Sequence, residues 1–358
     1  MRRARRRLGR VGARANVRMR APARGSGGQG KISRLMSPAS RPRPEEAKLD
    51  ALNALEASTD RAVLNDAVGK ALQDKHYRVA GKGALLAEER QLAERIPDLL
   101  AAYARFLQDP IKRDPNCIAK KAIVRALVAL ECRDVQFYLE GVRYVQLEPA
   151  WGKPVDTAVD VRGSCALGLV NSGYPRAVQE LASLLSDPEP RAREAAAQAI
   201  SCGYPREAEA LLRFKVLVGD EHPEVLSQCF TGLLAIAPEE CMAFVAANLS
   251  HKDDAVRDFA ALALGESRHA LALKHLRERW NDVFVSDGMR GVLIRAAAVH
   301  RTDEAFDWLL SIIESGSKKQ AQVAADALSV YERNTRLAER VKVALARRKE
   351  GRGAEGGA

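Results

Sequence analysis

Six histidines, six cysteines and one glycine-rich stretch are the residues here whose types invite chemistry. The histidines are His76, His222, His251, His269, His275 and His300. A metal site needs ligands converging at fixed spacing with a third nearby, and no pair among these has that arrangement. His269 and His275 stand six apart, on different faces of one helical stretch. Cys117, Cys132, Cys165, Cys202, Cys229 and Cys241 form no CxxC pair and no dense disulfide pattern. Several replace alanine on apolar helical faces, where cysteine acts as a small hydrophobe. Gly25-Ser26-Gly27-Gly28-Gln29-Gly30-Lys31 has the outline of a phosphate loop. That loop needs Ser or Thr after its lysine, a preceding strand and a following helix. Ile32 follows Lys31, and the upstream residues are Arg and Pro. GxSxG, HExxH and a post-strand GxGxxG are absent. The residues therefore predict no enzyme: no catalytic residue, no metal and no cofactor.

The elements that would position any site follow from composition. The chain has 358 residues, 47% hydrophobic but only 5% aromatic, the palette of tightly packed helices. No apolar run reaches the roughly 18 residues of a membrane span. Net charge is +11, yet residues 1–44 hold 13 Arg, Lys31 and no acid, which leaves −3 for residues 45–358. The basic total therefore says little about the folded part, and nucleic acid is disfavoured except through residues 1–44. That segment lacks the apolar residues to offset chain entropy and is expected to be disordered, as is the tail 349–358. It reads as a basic arm, as a transit peptide, or as translation upstream of a true start at Met36. With no signal peptide and reduced thiols expected, the sequence points to a cytoplasmic monomer.

A repeat runs through the middle. Its clearest copy, Val256-Arg257-Asp258-Phe259-Ala260-Ala261-Leu262-Ala263-Leu264-Gly265, defines V-R-x-x-A-A-x-A-L-G. Copies start at 161, 192, 225, 256, 289 and 320, spaced 31 to 33 apart, with weaker ones at Tyr77 and Ala119. Between them lie second apolar patterns at i, i+3, i+4, as in Phe306, Leu309, Leu310 and Ile313. The unit is helix, turn, helix in about 32 residues. One joint, Gly173-Tyr174-Pro175-Arg176, recurs as Gly203-Tyr204-Pro205-Arg206. Its glycine suits the left-handed position past a helix end and its proline the first turn of the next helix. The other joint carries Asp114, Asp156, Asp187 or Asp220 five residues before the template, where Asp can accept orphan amides of the following helix.

This pattern resembles HEAT repeats, particularly the short HEAT-like repeats named after phycobilisome lyases, over about residues 46–348. The resemblance implies an all-α, α-α superhelix, a HEAT-like solenoid of about eight helix pairs whose second helices line a concave face. It also implies a structural ladder of Asp156, Asp187 and Asp220 with Arg162, Arg193, Arg257 and Arg290, broken by Leu226 and ended by Ala321. Deoxyhypusine hydroxylase shares the architecture but holds two irons through His-Glu dipeptides, and no histidine here precedes Glu. The cationic track of HEAT-type DNA glycosylases does not match the −3 of residues 45–358.

Residues 132–156 depart from the repeat grammar and hold Phe137, Tyr138, Tyr144 and Trp151. An insertion in a solenoid maps to a surface loop, and Tyr, Trp and Arg are favoured anchors. Alternatively these aromatics plug a gap between irregular repeats. The solenoid, 45–348, is thus expected to be a scaffold or adaptor for another, unidentified protein. It would bind through the concave face or this insertion, with Tyr138, Tyr144, Trp151, Arg193 and Arg257 in contact. An accessory subunit of a modifying, lyase-like enzyme and nucleic-acid binding through the basic arm are the alternatives. Because residues 1–35 carry no periodic apolar pattern, a chain starting at Met36 should melt within about a degree of the full chain by calorimetry. A drop of about ten degrees would mean the arm packs on the solenoid.

Overall fold

Each copy of the template folds as the second helix of a helix–turn–helix pair. The computed structural model describes residues 43–203 and 205–355. A leading helix α1 (Pro44–Ala54) precedes α2 (Arg61–Gln73) with α3 (Tyr77–Glu89). Then come α4 (Ile96–Leu107), a short α5 (Pro110–Arg113) and α6 (Ile118–Ala129). The next pairs are α7 (Val135–Gly141) with α8 (Val159–Asn171) and α9 (Ala177–Leu184) with α10 (Pro190–Gly203). They are followed by α11 (Pro205–Val218) with α12 (Pro223–Ile236) and α13 (Pro238–Ala247) with α14 (Asp254–Ser267). The last are α15 (Ala270–Asn281) with α16 (Asp287–His300) and α17 (Asp303–Ser315) with α18 (Lys318–Ser329), before the closing helix α19 (Thr335–Glu355). The template starts 161, 192, 225, 256, 289 and 320 are each the third residue of their helix. The described residues therefore form the expected all-α HEAT-like solenoid, with eight helix pairs.

Two layers result. The template helices α3, α6, α8, α10, α12, α14, α16 and α18 stack one on the next, and the first helices form a looser second layer. One pair has too little apolar surface to stand alone, so the core is shared between neighbours. Ala196, Ala197, Ala260, Ala261 and Leu264 are all fully buried in it. Small residues allow the helix backbones to touch. A Cβ added at Gly265 would lie 2.2 Å from the Ala296 carbonyl oxygen, and one at Gly168 would lie 2.2 Å from the Tyr138 ring. Gly173, just past α8, takes φ +74°, the left-handed conformation expected of the joint.

Three expectations change. The insertion is shorter than 132–156, because 135–141 is α7, started by Asp134 accepting the Phe137 amide at 3.0 Å. What is inserted is a β-hairpin, β1 (Leu147–Glu148) antiparallel to β2 (Val155–Asp156), with Leu147 opposite Asp156. Second, α19 runs on to Glu355, past the end expected at 348. Third, Pro44 already begins α1, and the rest of the basic arm, 1–42, lies outside the described residues, as do Met36 and the glycine-rich stretch. No helix among the described residues is long and apolar enough to cross a membrane.

The close approach at Gly265 yields a paired expectation. Gly265→Ala forces α14 off α16 against backbone that cannot yield, at roughly 1–3 kcal/mol or more. Gly291→Ala, whose added Cβ meets only the end of Arg295 at 3.6 Å, stabilises helix α16 by up to about 1 kcal/mol. Chemical denaturation of the two variants should therefore move in opposite directions.

Candidate functional site

The turns inside the second to fifth pairs carry a chain of buried charges. In the second pair Lys120 and Asp114 are both fully buried, with Nζ 3.0 Å from Asp114 Oδ2. Lys120 stands at the template position that elsewhere holds Arg, and the resemblance did not point to it. Its place in the Ala119 copy was the signal available. In the next pair Arg162 Nη1 donates to Asp156 Oδ2 at 2.6 Å and Nη2 to Asp187 Oδ1 at 3.0 Å, tying that repeat to its neighbour. Arg193 then donates through Nε and Nη2 to both oxygens of Asp220, at 2.8 and 2.7 Å. Its Nη1 reaches the carbonyls of Asp187 and Pro188 at 2.8 and 3.0 Å. Lys215 adds a third donor, 2.8 Å from Asp220 Oδ2.

Burial alone would disfavour the charged form of Asp220. The donors from Arg193 and Lys215 outweigh it and hold the carboxyl well below the usual carboxylate range. Of the four turn aspartates, only Asp114 accepts amides of the helix itself, from Ala119 at 2.8 Å and Lys120 at 3.0 Å. Asp156, Asp187 and Asp220 instead accept the amide two residues on, at 2.8 to 2.9 Å, folding the turn that leads into the helix.

The series then changes character. Leu226 and His251 replace the next Arg and Asp together. Arg257 resumes the pattern by donating Nη1 to the carbonyls of His251 and Lys252 at 2.7 and 3.3 Å, and it also pairs with Asp254. Arg290 leaves the ladder. It has no ion pair among the described residues, and its guanidinium lies 5.4 Å from the Trp280 ring centroid. Trp280 in turn meets Trp308 edge-on at 5.8 Å, beneath Arg277. A cation–π stack thus stands where the last ion-pair rungs were expected.

The hairpin is built into the same ladder. Gln146, buried, donates Nε2 to the Asp114 carbonyl at 3.1 Å and to Glu148 Oε1 at 2.7 Å, and its amide reaches Asp156 Oδ1 at 3.2 Å. Glu148 Oε1 also accepts the Asn116 amide at 2.6 Å and the Thr157 hydroxyl at 2.7 Å. Burial opposes its ionised form, but these hydrogen bonds with Thr157, Gln146 and Asn116 prevail, and its pKa is lowered. The Asn116 amide is aimed by a left-handed backbone at φ 59°, continued by Cys117 at φ 52°. Beyond this base the tip residues 149–154 are exposed, and Trp151 is as exposed as an isolated side chain, at 107%.

The five expected contact residues therefore separate. Of the five, only Trp151 stands fully exposed. Tyr138 is fully buried on α7 against Gly168, so it is core. Val135, Tyr138, Leu139 and Val142 have helical spacing, a signal its aromatic neighbours obscured. Tyr144 is half-buried, and its hydroxyl donates to Gln146 Oε1 at 2.7 Å. Arg193 is a buried rung, and Arg257 spends its guanidinium on its own turn. Their positively charged ends are committed within the fold because the turns in front of both arginines present carbonyl oxygens at hydrogen-bonding distance.

Residues 210–287, from α11 to the start of α16, match the family of HEAT repeats. No curated protein matches the sequence. Among solved structures, the chain is similar at 16% identity to an engineered protein, with 87% of this chain and 96% of that one covered and a TM-score of 0.37. It is also similar at 16% identity to human deoxyhypusine hydroxylase in complex with glycerol, with 82% and 92% covered and a TM-score of 0.27.

Asp220→Asn removes the negative charge and one of the two oxygens that Arg193 and Lys215 share, and should cost about 3 kcal/mol. Because the folded-state pKa of Asp220 is depressed, its contribution is whole above the unfolded value of about 4 and is lost as pH falls below it. Melting temperature measured from pH 6 to pH 3 should therefore fall less steeply for Asp220→Asn than for the parent. Six successive helix pairs in one register give this chain a HEAT-like repeat architecture, and residues 210–287 within it match HEAT repeats.

Proposed function

We propose that this chain is a non-catalytic scaffold that holds another protein at the tip of its hairpin, with Trp151 as the central anchor. The exposure of Trp151 on a pinned support carries this reading. Glu148, Gln146 and Thr157 lock the hairpin base to the solenoid, and Pro149 and Pro154 flank the tip. A tip already held in place loses little freedom on binding, so more of the burial energy of the indole becomes affinity. Leaving a tryptophan wholly in water has no benefit for folding, whereas tryptophan is among the strongest interface anchors.

The non-catalytic part rests on where the reactive groups are spent. Burial pushes the Cys117 thiol up to about 11, so it stays protonated and a poor nucleophile. His300, buried at the end of α16, lies 3.0 Å from the His269 carbonyl through Nε2. A carbonyl only accepts, so Nε2 donates to it, and Nδ1 lies 2.9 Å from the Thr302 hydroxyl. The buried charges of the ladder are likewise held by one another.

Trp151→Ala should leave the melt within about 0.5 kcal/mol of the parent. It should reduce quantitative affinity capture of the proteins that the parent retains by roughly tenfold or more, the loss of a hot-spot anchor. Tyr138→Ala should do the reverse, costing about 3–5 kcal/mol of stability. Unchanged capture by a fully folded Trp151→Ala would sink the proposal.

A further inference from the structure

The ladder breaks where the structure has a cleft of about 700 Å³. This lies at the joint between the fifth and sixth pairs, away from the hairpin, and Leu226 and His251 both line it. They are the two residues that replace the expected Arg and Asp. At the equivalent place one pair earlier, Arg193 donates to the carbonyls six and five residues before it, those of Asp187 and Pro188. One pair later, Arg257 donates to the carbonyls at the same two offsets, those of His251 and Lys252. At Leu226 those offsets are Asp220 and Glu221, whose carbonyls receive no side-chain donor among the described residues. The fold thus presents, at this joint alone of the three, two turn carbonyls without the guanidinium that bonds them on either side.

The surroundings suit a cation carried on a peptide. Asp187, Asp220, Asp253 and Glu221 line the cleft together with Arg193, Lys215 and Lys252, an excess of one carboxylate among the lining residues, with Asp187 also bonded by Arg162 from outside it. Asp220 is already bonded by Arg193 and Lys215, whereas Glu221 is exposed at the rim. Leu217 and Val218, at the end of α11, are 74% and 66% exposed on the same rim. We infer that this cleft takes the arginine side chain of a partner peptide, which completes the missing rung. Its guanidinium donates to the Asp220 and Glu221 carbonyls and pairs with the Glu221 carboxylate, while flanking apolar residues cover Leu217 and Val218. Arginine fits better than lysine because its planar fork serves two carbonyls and a carboxylate at once. The inference stands on this joint and does not depend on Trp151.

The test uses the full chain and three probes: acetyl-Leu-Arg-Leu-amide, its lysine counterpart and its neutral citrulline counterpart. Methyl resonances of Leu217, Val218, Leu226 and Val256 report on the cleft. Saturable shifts are expected with the arginine peptide, with roughly tenfold weaker binding for citrulline, the worth of a charge-assisted hydrogen bond. Lysine should fall between them. Leu226→Arg supplies the rung from within and should abolish the shifts while the circular-dichroism melt is kept or raised. If that variant does not fold, Glu221→Gln, on the exposed rim, should weaken arginine binding several-fold with an unchanged melt. Equal binding of arginine and citrulline peptides, an absence of saturable shifts, or saturable shifts with inorganic phosphate in place of the peptide would each overturn the inference.

Discussion

Everything in this molecule depends on how closely one template helix can lie on the next. Gly265 approaches the Ala296 carbonyl so nearly that a single methyl group has no room. Alanines at the paired positions keep the same proximity through the stack. Close approach multiplies weak dispersion contacts, and the core exists only because neighbours supply it to each other. The cost is loss of side-chain specificity, since a layer of alanines interlocks poorly and could slide.

The ladder answers that problem. Arg162 grips turn aspartates of two successive repeats, and Arg193 does the same with a carbonyl on one side and a carboxylate on the other. Buried ion pairs contribute modestly to net stability, but breaking one leaves an uncompensated charge. Such pairs therefore penalise a shifted register far more than they reward the correct one. Their mutual satisfaction also explains why Lys120, Arg162 and Arg193 can be buried with their charges.

The two surfaces argued to bind partners are both alterations of this ladder. At the third pair the chain inserts a hairpin whose base residues, Gln146 and Glu148, become ladder members. The ladder's rigidity then extends to a tip that exposes a tryptophan. Between the fifth and sixth pairs two residues change together, and the joint opens into a cleft edged by unused carbonyls. A repeat fold can alter its surface in this way without disturbing its core. The core lies in the helices, whereas the ladder lies in the turns.

The period of about 32 residues, the small paired positions and the turn at Gly173 were enough to define the helix pairs, although Gly203, its counterpart in the repeated joint, ends its helix without the left-handed conformation. Each is local, written within one or two turns of helix, and repetition averages out local ambiguity. The rungs of Arg162 and Arg193 and the break at Leu226 came from the resemblance to HEAT repeats, laid over that same register. What the sequence did not determine was which aromatic faces water. Tyr138 and Trp151 sit 13 residues apart in one unusual stretch, yet one is core and the other fully exposed. That difference arises from contacts distant in sequence, with Gly168 making room for the Tyr138 ring and Asn116 and Asp114 anchoring the hairpin base. Likewise Arg193, Arg257 and Arg290 share one template position but end on a carboxylate, on carbonyls and on an indole. A long cation takes the best acceptor within reach, and only the packed neighbours decide what lies within reach.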